Sequence, residues 1–190
     1  MNRRKFMTSV FATTASLGLG GAAFSALGDT SHKKSKTALA VAQQWRNFLP
    51  EGYSASLVLT PIELSESEWQ KRLSSAAYEV LREEDTERPG SSALNDQHAD
   101  GIYACEGCDL PLFTSEMKYE SGTGWPSFFT HIPGHLATKR DYKMIWPRTE
   151  YHCIRCKGHQ GHVFDDGPRP TGQRWCNNGV ALKFIPTVAS

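Results

Sequence analysis

Two periodicities divide the chain. Over "PIELSESEWQKRLSSAAYEVLREED" (61–85), Trp69, Leu73, Ala76 and Val80 recur at helical spacing, and Ser65 with Glu68 has the spacing of a capping box. The pattern predicts a core-facing helix that stops by Arg88, because Pro89 and Gly90 end helices. Beyond about residue 100 the chain changes to short apolar runs, "GIYAC", "YKMIW", "HVF" and "VALKFI", separated by Gly, Pro, Asp and Asn clusters. Such runs read as β-strands with tight connections. The expected order is helices first and then one antiparallel β domain, without repeats or low-complexity tracts.

The region before this is less regular. Residues 29–60 open with the basic cluster "SHKKSK" and continue through apolar residues that hold no sustained period, which reads as a linker plus an N-terminal extension packed on the domain. At the N-terminus, Arg3, Arg4 and Lys5 precede an uncharged stretch from Phe6 to Gly28, the layout of an export signal of the twin-arginine type. Its apolar part is diluted by Thr13, Thr14, Ser16 and several glycines, so it would insert only weakly as a membrane span. Export to the periplasm with removal of residues 1–28 is expected, and a retained membrane anchor is the alternative. The formal charge of the 190-residue chain is +1, from 21 basic and 20 acidic residues. Cutting before Asp29 would leave 18 against 20, a charge of −2. With both signs interspersed, nothing makes an electrostatic case for nucleic acid.

Composition adds five cysteines, four of them paired. "CEGC" supplies Cys105 and Cys108, "CIRC" supplies Cys153 and Cys156, and 44 residues (109–152) lie between the pairs. Four thiolates with no open position describe a structural zinc site, one ion per chain, that would tie the two ends of the β domain together. In an exported protein, two disulfides or redox-active pairs are the competing reading. Export of an already folded chain would favour zinc, since the metal could bind before the sulfurs meet an oxidant.

Cys176, in "GQRWCNNGVALKF", has no such partner. It is an intermolecular partner, a buried inert thiol or a reactive one. Arg174, two positions earlier on the same face of a strand, would favour the thiolate. Two further segments have the composition of a pocket. "SGTGWPSF" holds Trp125 in a run of turn formers, either at a loop surface or as a core tryptophan on a glycine-rich turn. "GHQGHVFDDGP" carries His159 and His162, which could share a site or act as structural histidines.

In order, "YACEGCDLPLF", "KYESGTGWPSFF" and "RTEYHCIRCKGHQGHVFDDGPRPTGQRWCNNGVALKF" resemble the successive motifs of the methionine-R-sulfoxide reductases, the B type of that activity. The resemblance runs from about Ile62 to Pro186 and leaves out the signal segment and residues 29–60. Together with the residue patterns it gives an expected fold that is mainly β (α+β), antiparallel sheets forming a barrel-like β domain over 61–190 with short N-terminal helices and a structural zinc site of four cysteines.

The resemblance implies that Cys176 attacks the sulfoxide sulfur, that His159 and His162 protonate or hydrogen-bond its oxygen, and that Asn178 helps hold that oxygen. It implies further that Trp125 receives the methyl group, with Arg174 and Asp166 as supporting groups. The substrates would be oxidised proteins or peptides carrying methionine sulfoxide. Many family members carry a resolving cysteine where this chain has Thr123, so the Cys176 sulfenic acid would be reduced from outside, by a thioredoxin-like dithiol or a small thiol. A monomer is expected. Asn177, Gly179 and Gln160 also depart from the family pattern, which more usually has an apolar β-branched residue, serine and leucine there. A zinc-stabilised binding module and a thiol–disulfide oxidoreductase are the competing functions.

Overall fold

The computed structural model describes residues 30–53, 59–143 and 146–187, so the expected export signal (1–28) lies outside the described residues. Helix α1 (Thr30–Gln43) leads into a 3-10 turn (Gln44–Phe48) that buries Trp45 edge-on against His135, ring centroids 5.2 Å apart. Thr187 donates to the Phe48 carbonyl at 2.8 Å, which ties this extension to the C-terminal end of the domain.

The helix expected over 61–88 is two helices, α2 (Glu66–Arg72) and α3 (Ser75–Glu83). Ser65 N donates to Glu68 Oε2 at 2.8 Å, the capping-box contact. The break comes at Ser74, whose hydroxyl accepts from Ala77 N at 3.2 Å and so starts α3 afresh. Restarting the helix shifts its phase, so Ala77 is buried and Ala76, expected on the core face, is exposed. A left-handed Glu84 (φ 59°) ends α3.

Nine strands follow: β1 (Gly101–Cys105), β2 (Pro111–Thr114), β3 (Lys118–Tyr119), β4 (Ser127–Phe128), β5 (Leu136–Asp141), β6 (Arg148–Cys153), β7 (His159–Phe164), β8 (Arg174–Asn177) and β9 (Leu182–Pro186). The mainly β, antiparallel character is as expected, but among the described residues the strands hydrogen-bond as two sheets, β2-β1-β9 and β3-β4-β8-β7-β6-β5, and do not close into a barrel. One apolar core serves both, with Phe113 of the small sheet stacked on Phe128 of the large one at 4.0 Å. Of "YKMIW" (142–146), expected as a strand, Tyr142, Lys143 and Trp146 are not in one, and residues 144–145 lie outside the described residues. Asp141 ends β5, and Tyr142 and Trp146 are 73% and 81% exposed in the β5–β6 connection.

Register in the large sheet positions the chemistry. Directly opposed residues of neighbouring antiparallel strands point to the same face. Tyr119 opposes Ser127, Ser127 opposes Cys176, Cys176 opposes His162, His162 opposes Glu150 and Glu150 opposes Lys139. One transverse row across six strands thus carries the lone cysteine, one histidine and a buried carboxylate.

Candidate active site and metal centre

The two Cys-x-x-Cys turns share one backbone plan. In each, the first cysteine's N–H bonds the carbonyl five residues on (Leu110, Gly158), and its own carbonyl accepts from a left-handed residue four on (Asp109, φ 63°; Lys157, φ 60°). The four sulfurs lie within 4.8 Å of one another, with Cys105 Sγ 3.5 Å from Cys156 Sγ and Cys108 Sγ 3.5 Å from Cys153 Sγ. A disulfide needs about 2.05 Å. A tetrahedron with metal–sulfur bonds of about 2.3 Å has edges of about 3.8 Å, so the cluster fits one ion and not two disulfides. Since one turn follows β1 and the other β6, an ion there would join the two sheets.

Cys176 opens into a cleft of ≈ 110 Å³ walled by Thr86, Trp125, Arg148, Gly161, His162, Phe164, Asn177 and Asn178. Gly161 is what lets β7 lie so close to β8, because a Cβ there would sit 1.9 Å from the Cys176 carbonyl oxygen. His162 Nε2 is 2.8 Å from Asp141 Oδ2, and a carboxylate can only accept, so Nε2 carries the hydrogen and Nδ1 is the basic nitrogen of the neutral ring. Burial lowers the His162 pKa below its usual value, with Arg148 and His159 pushing the same way against Asp141. Burial likewise pushes the Cys176 thiol up, and Arg174, aided by the Thr123 and Ser127 hydroxyls, pulls it down without overcoming burial. The resting pair is therefore thiol and neutral imidazole, not the thiolate that Arg174 alone would favour. Alkylation of Cys176 should accelerate with pH through a midpoint above the ordinary thiol value of about 8.5. Arg174→Met should move that midpoint higher still, measured as iodoacetamide rate against pH, and a midpoint below about 8 in the unmodified protein would contradict it.

His159 stands behind this pair and does not line the cleft. Its ring centroid is 5.4 Å from that of His162, and its Nδ1 is 3.0 Å from Glu150 Oε1. That separation suits an ion pair, yet the direction is wrong for a hydrogen bond, and neither ring nitrogen has a hydrogen-bond partner. Burial raises the Glu150 pKa, but His159 and Lys139 outweigh it and hold the carboxyl below its usual value. Arg174 and Asp166 form a bidentate pair at 2.8 and 2.9 Å, with the guanidinium 4.3 Å above the Phe164 ring, beside the cleft rather than in its wall.

Asn178 lines the cleft and also holds it together: its Oδ1 accepts from Glu87 N at 3.0 Å and its Nδ2 donates to the Gln160 carbonyl at 3.1 Å. Glu87, which sequence reasoning missed, accepts from Gly179 N and Val180 N with its carboxylate, while its carbonyl accepts the Trp125 indole at 3.1 Å. One glutamate thereby fixes both Trp125 and the turn after Cys176. Asp141, Arg148 and Glu150 were missed too. The two unusual residues Asn177 and Gln160 explain each other. Tyr151 Oη donates to Asn177 Oδ1 at 2.8 Å, Asn177 Nδ2 reaches Gln160 Oε1 at 3.4 Å, and Gln160 Nε2 reaches Cys105 Sγ at 3.3 Å. A buried polar chain thus connects the nucleophile strand to the cysteine cluster, and each amide satisfies the other.

Comparison with known proteins agrees with this geometry. The SelR domain matches residues 73–186. Peptide methionine sulfoxide reductase B1, chloroplastic, of Arabidopsis thaliana is 49% identical over 122 residues, covering 64% of this chain and 60% of its own length. Peptide methionine sulfoxide reductase MsrB of Methanosarcina barkeri is 48% identical over 124 residues, covering 65% and 87%. Methionine-R-sulfoxide reductase B2, mitochondrial, of Rattus norvegicus is 45% identical over 144 residues, covering 72% and 83%. The chain thus spans about 60% of the plant relative and most of the other two. With more than half of its residues inside the matched domain and its cysteines arranged as described, this chain belongs to the SelR-domain family of B-type methionine sulfoxide reductases.

Proposed function

We propose that the protein reduces the R epimer of methionine sulfoxide, protein-bound or free, to methionine. The observation that carries this reading is the cross-strand pair of Cys176 and His162 at a cleft bordered by the Trp125 indole. The methyl group would lie on that indole and the sulfinyl oxygen would face His162. His162 Nδ1 takes the thiol proton as Cys176 Sγ attacks the sulfoxide sulfur, then returns it to the departing oxygen. The sulfur–oxygen bond breaks to leave a sulfonium in which Sγ is bonded to the methionine sulfur, and the released hydroxide attacks Sγ, so that the bond between the two sulfurs breaks, methionine leaves and Cys176 remains as a sulfenic acid. Thiol plus sulfoxide becomes sulfenic acid plus sulfide, so the step needs no outside proton.

Regeneration comes from an external dithiol protein of the thioredoxin type or a small thiol. Thr123, where a resolving cysteine would stand, offers a hydroxyl to Cys176, and the other four cysteines belong to the cluster. That cluster holds one zinc ion in a structural role. The twin-arginine-like segment supports export to the periplasm. The test is a single turnover without donor. The R epimer should yield about one methionine and the loss of one thiol per chain, and the S epimer almost none. Equal yields from both epimers would refute the reductase assignment. Loss of two thiols into a disulfide within the chain would refute the external donor.

A further inference from the structure

The cleft is small for what must enter it. Its ≈ 110 Å³ compares with about 300–1,000 Å³ for sites that enclose a drug-sized ligand. One side chain fills it, and the main chain of a polypeptide substrate has to cross the rim outside. On one side that rim is marked by Asp141 and Arg148, the residues on either side of the β5–β6 connection. Asp141, the last residue of β5, bonds both His162 and Arg148 Nη2, the latter at 2.7 Å, and Arg148, the first residue of β6, lines the cleft. The connection therefore leaves and rejoins the fold at the cleft wall. Tyr142 follows Asp141 directly, and Trp146 is two residues from Arg148, within about 7 Å along the chain. Its base is fixed: Lys143 N donates to Asp141 Oδ1 at 2.8 Å, and Lys143 Nζ pairs with Glu84 Oε2 at 2.8 Å.

Tyr142 and Trp146 are the two most exposed large apolar side chains among the described residues. Neither is needed to complete the core, and flat aromatic side chains at this exposure suit an interface in which they become buried.

We propose that Tyr142 and Trp146 form a docking lip for the substrate polypeptide, so that methionine sulfoxide flanked by an apolar residue in an extended segment is the preferred substrate. This rests on the reductase reading above and deepens it. The occupant is the substrate's own chain, because Tyr142 and Trp146 adjoin Asp141 and Arg148, which stand at the cleft that the substrate side chain enters.

The test uses the full protein with a dithiol donor and three substrates, all R epimers: N-acetyl-methionine sulfoxide, a pentapeptide with leucine on both sides of the sulfoxide, and the same peptide with glycine there. The Tyr142→Ser/Trp146→Ser variant, altered only at exposed positions, should lose about tenfold in kcat/KM on the leucine peptide, an ordinary cost for truncating aromatic interface anchors. The loss should appear in KM, with kcat and the small substrate unchanged, and the unmodified protein should favour the leucine peptide over the glycine one. An unchanged leucine peptide, or an equal fall on the small substrate, would overturn the lip. If the unmodified protein left all three substrates unreduced, the reductase reading itself would fall, and the lip with it.

Discussion

Cys176→Ser is expected to lower methionine sulfoxide reduction at least about 10³-fold while leaving the melting temperature close to that of the unmodified protein, because removing a nucleophile removes the pathway and not a fraction of it. Serine keeps the shape of the side chain between Ser127 and His162. It cannot become a sulfenic acid, and its hydroxyl is a far weaker nucleophile towards sulfur. The loss should sit in kcat, with substrate binding retained, since Trp125 and Arg148 still wall the cleft. Full activity in the variant would move the chemistry to one of the Cys-x-x-Cys pairs. The geometry disfavours that outcome: all four paired sulfurs are buried within one cluster, whereas Cys176 is the cysteine with solvent access.

Legibility in the sequence differs from residue to residue. Cys176, His162 and Trp125 stand in short motifs whose spacing carries the chemistry, and the cysteine pairs announce themselves by Cys-x-x-Cys. Glu87, Asp141, Arg148 and Glu150 have no such local signature. Each is a single charge whose setting comes from a partner on another segment, as for Glu87 with Gly179 at a separation of 92 positions. Asp141 and Glu150 could have been suspected only from strand pairing, which places Glu150 opposite His162 once the register is known. Arg174 is legible, but its effect on Cys176 depends on burial that a sequence does not show. The departures in the fold have equally local causes. A single hydrogen bond from Ala77 to Ser74 outweighs four residues at helical spacing. "YKMIW" has a strand's composition, yet Asp141 is committed to His162, Arg148 and the Lys143 N–H, so β5 ends there and Tyr142 is left exposed.

Cys153→Ser should abolish binding of the metal ion proposed for the cysteine cluster and lower the melting temperature by roughly 10–20 °C, the equivalent of about 5 kcal/mol in a domain of this size. The argument is topological. No strand pairing joins the small sheet to the large one among the described residues, so the cluster at the ends of β1 and β6 is a main tether between them, assisted by Arg155 Nη1 to the Cys108 carbonyl at 2.9 Å. Removing one thiolate also leaves three buried sulfurs crowded without a counter-charge. Elemental analysis with thermal melting measures both quantities, and a metal-free protein that melts where the unmodified one does would show that the cluster is no tether. Activity should fall with the fold, because the chain Cys105, Gln160, Asn177 runs from cluster to nucleophile strand. Gln160→Leu separates the two effects: metal stays, but Asn177 loses a partner at the floor of the cleft. The expected cost is about 1–3 kcal/mol for one buried Asn177 N–H left unpaired, since its amide keeps only the Asn178 carbonyl as an acceptor, and thermal melting with elemental analysis would show a lower melting temperature at unchanged metal content.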